Sequence, residues 1–258
     1  MVSLIVALLF GVAASVHCSP MKIVGGSTVA NNTFAPYQVS LQSRALKHFC
    51  GGSIINKYWI LTAGHCVCRK SKDAFFIRVG SISINGASGV YIQPDRIICH
   101  PEYSNRTGTN DIALVKTAIP MQFNDHIKAI PIESTKKLNP NEKMMLTGWG
   151  LTSHPNGKLP NNLQLVHLSY ISSNECRQEL LKAGKEIAKF EINESHICTK
   201  GSKGVGACMG DSGGPLVYDG VLFGVVSWGI PCARGRPDVY TRVQYFKSFI
   251  QREIDYNK

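Results

Sequence analysis

Gly210-Asp211-Ser212-Gly213-Gly214-Pro215 is the stretch on which the reading of this chain turns. A serine hydroxyl is a weak nucleophile until a neighbouring base takes its proton and N–H donors await the oxyanion that forms. Glycines on both sides of a serine permit a tight turn that aims backbone N–H groups at one point. Ser212 is thus a candidate nucleophile, and Gly210 and Ser212 are candidate oxyanion donors. From average composition, this string arises by chance in a chain of 258 residues with a probability of ~10⁻⁵. An ordinary glycine-rich turn is the weaker explanation.

A nucleophilic serine needs a base, and the base needs a group that orients it. Leu61-Thr62-Ala63-Gly64-His65-Cys66 places His65 after a strand-like run and beside a cysteine whose disulfide would hold it. Asn110-Asp111-Ile112-Ala113-Leu114 places Asp111 just before an apolar run, where a carboxylate can be buried against an imidazole. Taken singly, such a histidine is more often structural and such an aspartate more often sits in a turn. Together with Ser212 they follow the order His65, Asp111, Ser212, one of the chain orders in which this chemistry occurs.

With those residues quoted, the chain resembles the chymotrypsin/trypsin family of serine proteases. The resemblance runs from Ile23 to the C-terminal segment and is strongest to arthropod digestive chymotrypsins. It implies an all-β fold of two antiparallel six-stranded β-barrels, with a C-terminal α-helix and the site in the cleft between barrels. It implies that Ser212 attacks the scissile carbonyl, His65 moves the proton, Asp111 orients His65, and the Gly210 and Ser212 N–H groups bind the oxyanion. Gly64 departs from the alanine usual before the histidine; we expect it to be tolerated.

Four further expectations come from the resemblance. Lys22-Ile23-Val24-Gly25-Gly26 matches an activation sequence: a trypsin-like protease would cut after Lys22, and the freed Ile23 amino group would pair with Asp211. Disulfides would join Cys50 to Cys66, Cys176 to Cys198 and Cys208 to Cys232; Cys68 and Cys99 remain as a fourth pair. Eight cysteines allow 105 pairings, so the sequence alone does not choose among them. The substrate pocket would be set by Gly206 at its floor, Ser227 and Gly229 along its walls, and Asp238 on the closing strand. A neutral, roomy floor favours Phe, Tyr, Leu and Met before the scissile bond. Asp238 leaves open a preference for Arg or Lys, or a carboxylate lying beneath the pocket beside Arg234 or Arg236. No cofactor is implied. The stretch from Gly80 to Val90, where relatives hold calcium through two glutamates, has no acidic residue, so no metal is expected there.

Composition bounds the rest. Apolar residues make up 44% of the chain and charged residues 17%, which suits a packed core. The run from Val2 to Val16 is apolar with small residues at its end, as in an export signal cut after Ala14, Ser15 or Cys18. The expected organisation is a signal over 1–18, an activation peptide over 19–22 and a protease domain over 23–258. Cys18 either leaves with the signal or stays unpaired. No later run is long and apolar enough to span a bilayer. A secreted, extracellular protein follows, with disulfides in place of cytosolic thiols. The net charge is +11, and a chain starting at Ile23 would carry one cation fewer. The cations are scattered, as in a solvated surface that can also attract anionic proteins or sulfated glycans. Nucleic acid and membrane partners are not expected; protein and peptide substrates, protein inhibitors and a monomeric state are. Sequons begin at Asn31, Asn105 and Asn193.

Short β-rich runs recur at Tyr37–Leu41, Trp59–Thr62, Phe75–Val79, Met144–Thr147 and Val221–Ser227. In Val243–Ile254, Phe246, Phe249, Ile250 and Ile254 share a helical face, which predicts a docked terminal helix. Arg177–Phe190 is a weaker helix candidate. Two other functions compete with an active digestive endopeptidase. One is a non-enzymatic homologue, against which all three catalytic residues are present; the other is a cationic granule- or saliva-type protease.

Overall fold

The computed structural model describes residues 23–184, 190–230 and 232–257. Strands are numbered along the chain. β1 (Ser27–Thr28) crosses over to the second half of the molecule. β2 (Gln38–Ser43), β3 (His48–Ile54), β4 (Trp59–Thr62), β5 (Phe75–Val79), β6 (Val90–Ile92), β7 (Pro94–Cys99) and β8 (Ala113–Thr117) form an antiparallel sheet in the order β6-β5-β2-β3-β4-β8-β7. β9 (Lys143–Gly148), β10 (Gln164–Ile171), β11 (His196–Lys200), β12 (Pro215–Tyr218), β13 (Val221–Gly229) and β14 (Asp238–Arg242) make the second sheet. Its order is β10-β11-β14-β13-β12-β9, and β9 pairs again with β10. That ladder closes a six-stranded barrel, with β1 added outside on β10.

The expected pair of antiparallel barrel-like sheets is present, and the first half is the more open of the two. Its sheet has seven strands, and among the described residues no ladder joins its edges β6 and β7. Closure requires the two edge strands to reach hydrogen-bonding register, which a pattern of apolar runs does not encode. An open edge invites pairing with other chains. Here β7 starts at Pro94, its register shifts between Pro94 and Arg96, and Arg96 reaches the Asn257 side chain.

The central strands are buried on both faces: β4 and residues 38–42 of β2 are wholly buried. Their apolar side chains fill one core cluster that includes Val39, Leu41, Ile60, Leu61, Phe75, Ile77, Leu114 and Val115. A second cluster inside the closed barrel holds Ile23, Met144, Leu146, Leu168, Phe223 and Tyr240. Each fully buried Leu or Ile contributes about 1.5–3 kcal/mol over an exposed one.

Among the described residues three α-helices punctuate the strands. α1 (Gly64–Val67) is one turn after β4. α2 (Ser173–Leu181) corrects the expected helix over Arg177–Phe190: it starts earlier, where Ser172 accepts from the Glu175 N–H at 3.1 Å, and ends at Leu181. Residues 185–189 lie outside the described residues. α3 (Lys247–Tyr256) follows a 3₁₀ turn over Val243–Phe246, so the terminal helix begins later than Val243. Phe246, Phe249 and Ile250 are buried on the first core cluster, with Ile254 beside them. Lys116 donates to the Asn257 carbonyl at 2.7 Å and ties the end of the chain to β8. Four disulfides join Cys50 to Cys66, Cys68 to Cys99, Cys176 to Cys198 and Cys208 to Cys232.

Candidate active site

His65 sits in α1, held by the Cys50–Cys66 disulfide next to it. Its Nδ1 lies 2.7 Å from Asp111 Oδ2, and its backbone N–H donates to Asp111 Oδ1 at 2.8 Å. Asp111 is buried, whereas the His65 side chain keeps 28% of its surface open. A second-barrel side chain completes the carboxylate: Ser227 Oγ donates to Asp111 Oδ2 at 2.6 Å. Thr241 Oγ1 donates to the Asp111 carbonyl at 2.7 Å. Burial alone pushes the Asp111 carboxyl up; hydrogen bonds from His65, the His65 charge and the Ser227 bond outweigh it and hold the group below its ordinary value. An acceptor-only carboxylate forces Nδ1 to be the protonated nitrogen, which leaves Nε2 free to accept a proton.

The Ser212 loop is turned by Gly210 (φ +103°) and Gly213 (φ +77°), a backbone region closed to most side chains. A Cβ on Gly213 would lie 2.3 Å from Thr62 Oγ1 and 3.3 Å from the Ala63 nitrogen, so this loop abuts the segment that leads into His65. The Gly51 N–H donates to the Ser212 carbonyl at 2.7 Å. The Asp211, Gly213 and Gly214 N–H groups bond to Cys208, Val226 and Asp211 carbonyls. Among the described residues the Gly210 and Ser212 N–H groups have no such acceptor. Two donors left open beside a serine are what an oxyanion site requires.

Sequence reasoning missed a group beneath that loop. His48 of β3 is buried, with Nε2 2.8 Å from the Gly210 carbonyl and Nδ1 2.8 Å from Ser40 Oγ. A carbonyl only accepts, so Nε2 donates to Gly210 and Nδ1 accepts from Ser40. Gln42 Nε2 in turn donates to Ser40 Oγ at 3.0 Å. Burial pushes the His48 imidazole down to about 4, against the opposing bond to Gly210. Its only sequence signal was a histidine at the head of a strand that is apolar apart from Ser53.

Asp211 is fully enclosed. Oδ1 accepts from the Gly150 N–H at 2.7 Å and Oδ2 from the Cys208 N–H at 2.9 Å. Side chains at 148 and 150 would overlap it: a Cβ there would fall 2.2 and 2.1 Å from its carboxylate oxygens. Burial raises this carboxyl to about 6, with the two N–H bonds pulling the other way. No ion pair to Asp211 occurs among the described residues. Ile23 is buried in the core of the same barrel, and the Val24 carbonyl accepts from the Gly206 N–H at 3.1 Å. Lys22 lies outside the described residues.

A cavity of about 190 Å³ opens beside Ser212. Ala207, Met209, Val226, Ser227, Trp228 and Gly229 contribute to its lining, as do the Cys208–Cys232 pair and Asp238. Gly206 lies behind this surface, where its Cβ would come within 2.8 Å of Asp238 Oδ2. Asp238 Oδ2 accepts from the Ala207 N–H at 2.9 Å. The alternative of a local ion pair is not realised: Arg236 turns to Glu179 at 3.8 Å, and Arg234 is exposed. Burial raises the Asp238 carboxyl to about 7; the Ala207 bond opposes this and the Asp211 charge adds to it.

Gly64 makes room for Tyr103, whose ring would lie 3.1 Å from a Cβ there. Burial and the Asp111 charge raise the Tyr103 phenol to about 12. The only grouping of metal-ligating side chains among the described residues is Cys50, His65 and Cys66, and both sulfurs are consumed in a disulfide. In the Gly80 to Val90 stretch, the Ile84, Gly86 and Ser88 carbonyls accept from the buried Arg78 guanidinium, an internal cation. The sequon asparagines Asn31, Asn105 and Asn193 are all exposed.

The family model described as Trypsin matches residues 23–250. A chymotrypsin-2 from Vespa crabro is 39% identical over 230 residues, covering 89% of this chain and 99% of that protein. A trypsin from Xenopus laevis is 35% identical over 258 residues, covering 98% and 99%. A trypsin from Sus scrofa is 36% identical over 242 residues, covering 92% and 97%.

Proposed function

This chain belongs to the trypsin family and is a serine endopeptidase acting on proteins and peptides; on that premise we propose that it is secreted as a zymogen, activated by cleavage after Lys22, and selective for large aromatic or aliphatic residues. The observation that carries the catalytic assignment is the 2.7 Å contact of buried Asp111 with His65, beside the loop that presents Ser212.

In this reading Ser212 Oγ attacks the scissile carbonyl carbon and His65 Nε2 takes its proton. The tetrahedral oxyanion sits between the Gly210 and Ser212 N–H groups. The C–N bond then breaks as His65 returns the proton to the leaving amine, giving an acyl-enzyme on Ser212. Water, deprotonated by His65, attacks that ester and releases the acid. Asp111 stays ionised throughout and stabilises the imidazolium.

Activation follows from Asp211. A carboxylate enclosed without a cation is costly, and the Ile23 amino group freed by cleavage supplies one. Export is supported by the apolar run of 2–16 and by four disulfides. The neutral Gly206 position and apolar lining favour Phe, Tyr, Leu and Met. A second reading, acceptance of Lys and Arg, is favoured by one observation: Asp238 reaches the cavity lining.

The test is to express the zymogen, cut it after Lys22 with trypsin, remove the trypsin and assay matched peptides ending in Phe, Leu, Arg and Lys. Phe and Leu cleavage that drops by ~10⁶ in Ser212→Ala supports the proposal. Cleavage that survives in that variant, or none at all, overturns the catalytic assignment.

A further inference from the structure

Asp238 is a buried carboxyl that the catalytic steps above do not use. It lines the cavity beside Ser212, and a Cβ on Gly229 would lie 3.4 Å from Oδ1. The one hydrogen bond it receives among the described residues is the Ala207 N–H. Among the described residues, then, no cation commits it to its charged form and no acceptor holds it neutral. The groups around it do not change this. Asp211 contributes a like charge, and Tyr240 on the same strand is a buried phenol bonded to Thr199. On the flanking loops, Lys203 and Arg234 are exposed and Arg236 is engaged by Glu179. β13 brings Ser227, whose hydroxyl is spent on Asp111, and otherwise uncharged residues.

We propose that Asp238 makes the choice of substrate depend on pH, the cavity taking large apolar side chains when the carboxyl is protonated and Lys or Arg in addition when it is ionised. This rests on the reading of the cavity as the pocket for the residue before the scissile bond. A protonated carboxyl under an apolar ring is a satisfied neutral group, whereas an ionised one leaves an uncompensated charge beneath that ring. A bound ammonium or guanidinium reverses the balance by supplying the missing cation. The carboxyl titrates near 7 with Asp211 unpaired. Pairing with the Ile23 amino group compensates the Asp211 charge with a cation and so moves the transition lower in the activated enzyme.

The experiment measures kcat/KM on matched Lys and Phe peptides between about pH 5 and about pH 9, in the activated enzyme and in Asp238→Asn. The ratio of the two constants divides out the His65 and Ser212 steps common to both substrates. We expect the Lys-to-Phe ratio to rise about tenfold or more with pH in the wild type and to stay flat in Asp238→Asn. Inhibition by benzamidine, an apolar ring bearing a cation, should tighten over the same window in the wild type, and this measurement needs no variant to fold. A flat ratio and flat benzamidine affinity with Phe preferred throughout overturn the pH gate and leave the apolar preference standing. A flat ratio with Lys preferred at every pH overturns both. The same rise in Asp238→Asn assigns the titration elsewhere and overturns the gate.

Discussion

His48 Nε2 donates to the Gly210 carbonyl at 2.8 Å, so a first-sheet side chain holds the backbone of the proposed oxyanion loop from below. Removing the imidazole leaves that carbonyl without its donor and opens a cavity against Trp149, whose ring lies 5.5 Å away. His48→Ala should lower kcat more than it raises KM, because the Gly210 N–H moves with its carbonyl. Stability should also respond to pH. The folded-state imidazole titrates near 4, below its ordinary 6.5. The stabilisation is therefore complete above 6.5 and is lost as pH falls toward 4, an effect of about 3 kcal/mol in full. Chemical denaturation across that window, wild type against His48→Gln, checks it; parallel curves would sink the idea.

Ser227 of β13 and Asp111, just ahead of β8 in the other sheet, meet at 2.6 Å. A hydrogen bond to a charged group is worth about 1.5–3 kcal/mol, so Ser227→Ala should cut kcat by about tenfold or more. The loss should nearly vanish in an Asp111→Asn background, where the charge is gone. A double-mutant cycle on kcat measures that coupling. Additive losses would mean that Ser227 acts through the cavity wall alone.

What could be read from the sequence and what could not divide along physical lines. His65, Asp111 and Ser212 were legible because each lies in a contiguous string whose local conformation is part of its chemistry. His48, Ser40 and Gln42 were not, because their link to Gly210 spans 162 residues and no spacing encodes it. Ser227 was legible as a pocket residue but not as a donor to Asp111, since only the packing of the two sheets brings them together. Ser172 and Glu175 carried a readable cap signature, yet the weaker apolar pattern downstream drew the expected helix toward Phe190. Asp238 was legible as an anomaly; its bond from the Ala207 N–H, its one partner among the described residues, is a product of the folded loop.

The Cys68–Cys99 disulfide closes a sequence separation of 31 residues. It joins the end of α1 to the end of β7, on the open edge of the first sheet. Loop-closure entropy for that span is about 3–4 kcal/mol. Replacing both cysteines by alanine should lower stability by up to that amount and leave kcat on a Phe peptide close to the wild type. Thermal unfolding of the double variant checks the first part. A large fall in kcat with the fold intact would show that the bridge also positions His65.

Arg78 is buried, and its guanidinium donates to the Ile84 carbonyl at 2.5 Å, to Gly86 at 3.1 Å, to Ser88 at 2.6 Å and to Tyr91 Oη at 3.0 Å. These donors gather the turn between β5 and β6 around an internal cation. Arg78→Met keeps the apolar stem but leaves the Gly86 and Ser88 carbonyls without donors, while Ile84 keeps the Gln42 amide at 3.0 Å, at a cost of about 2 kcal/mol or more. Arg78→Lys keeps the charge but loses the planar fork, so it should recover only part of the loss. Limited proteolysis should then cut within residues 81–89 faster in Met than in Lys, and faster in Lys than in the wild type. Because the cation is part of the chain, a calcium chelator should leave the wild-type melting temperature where it is. A chelator-induced fall in that temperature would show that a metal, and not Arg78 alone, holds the turn.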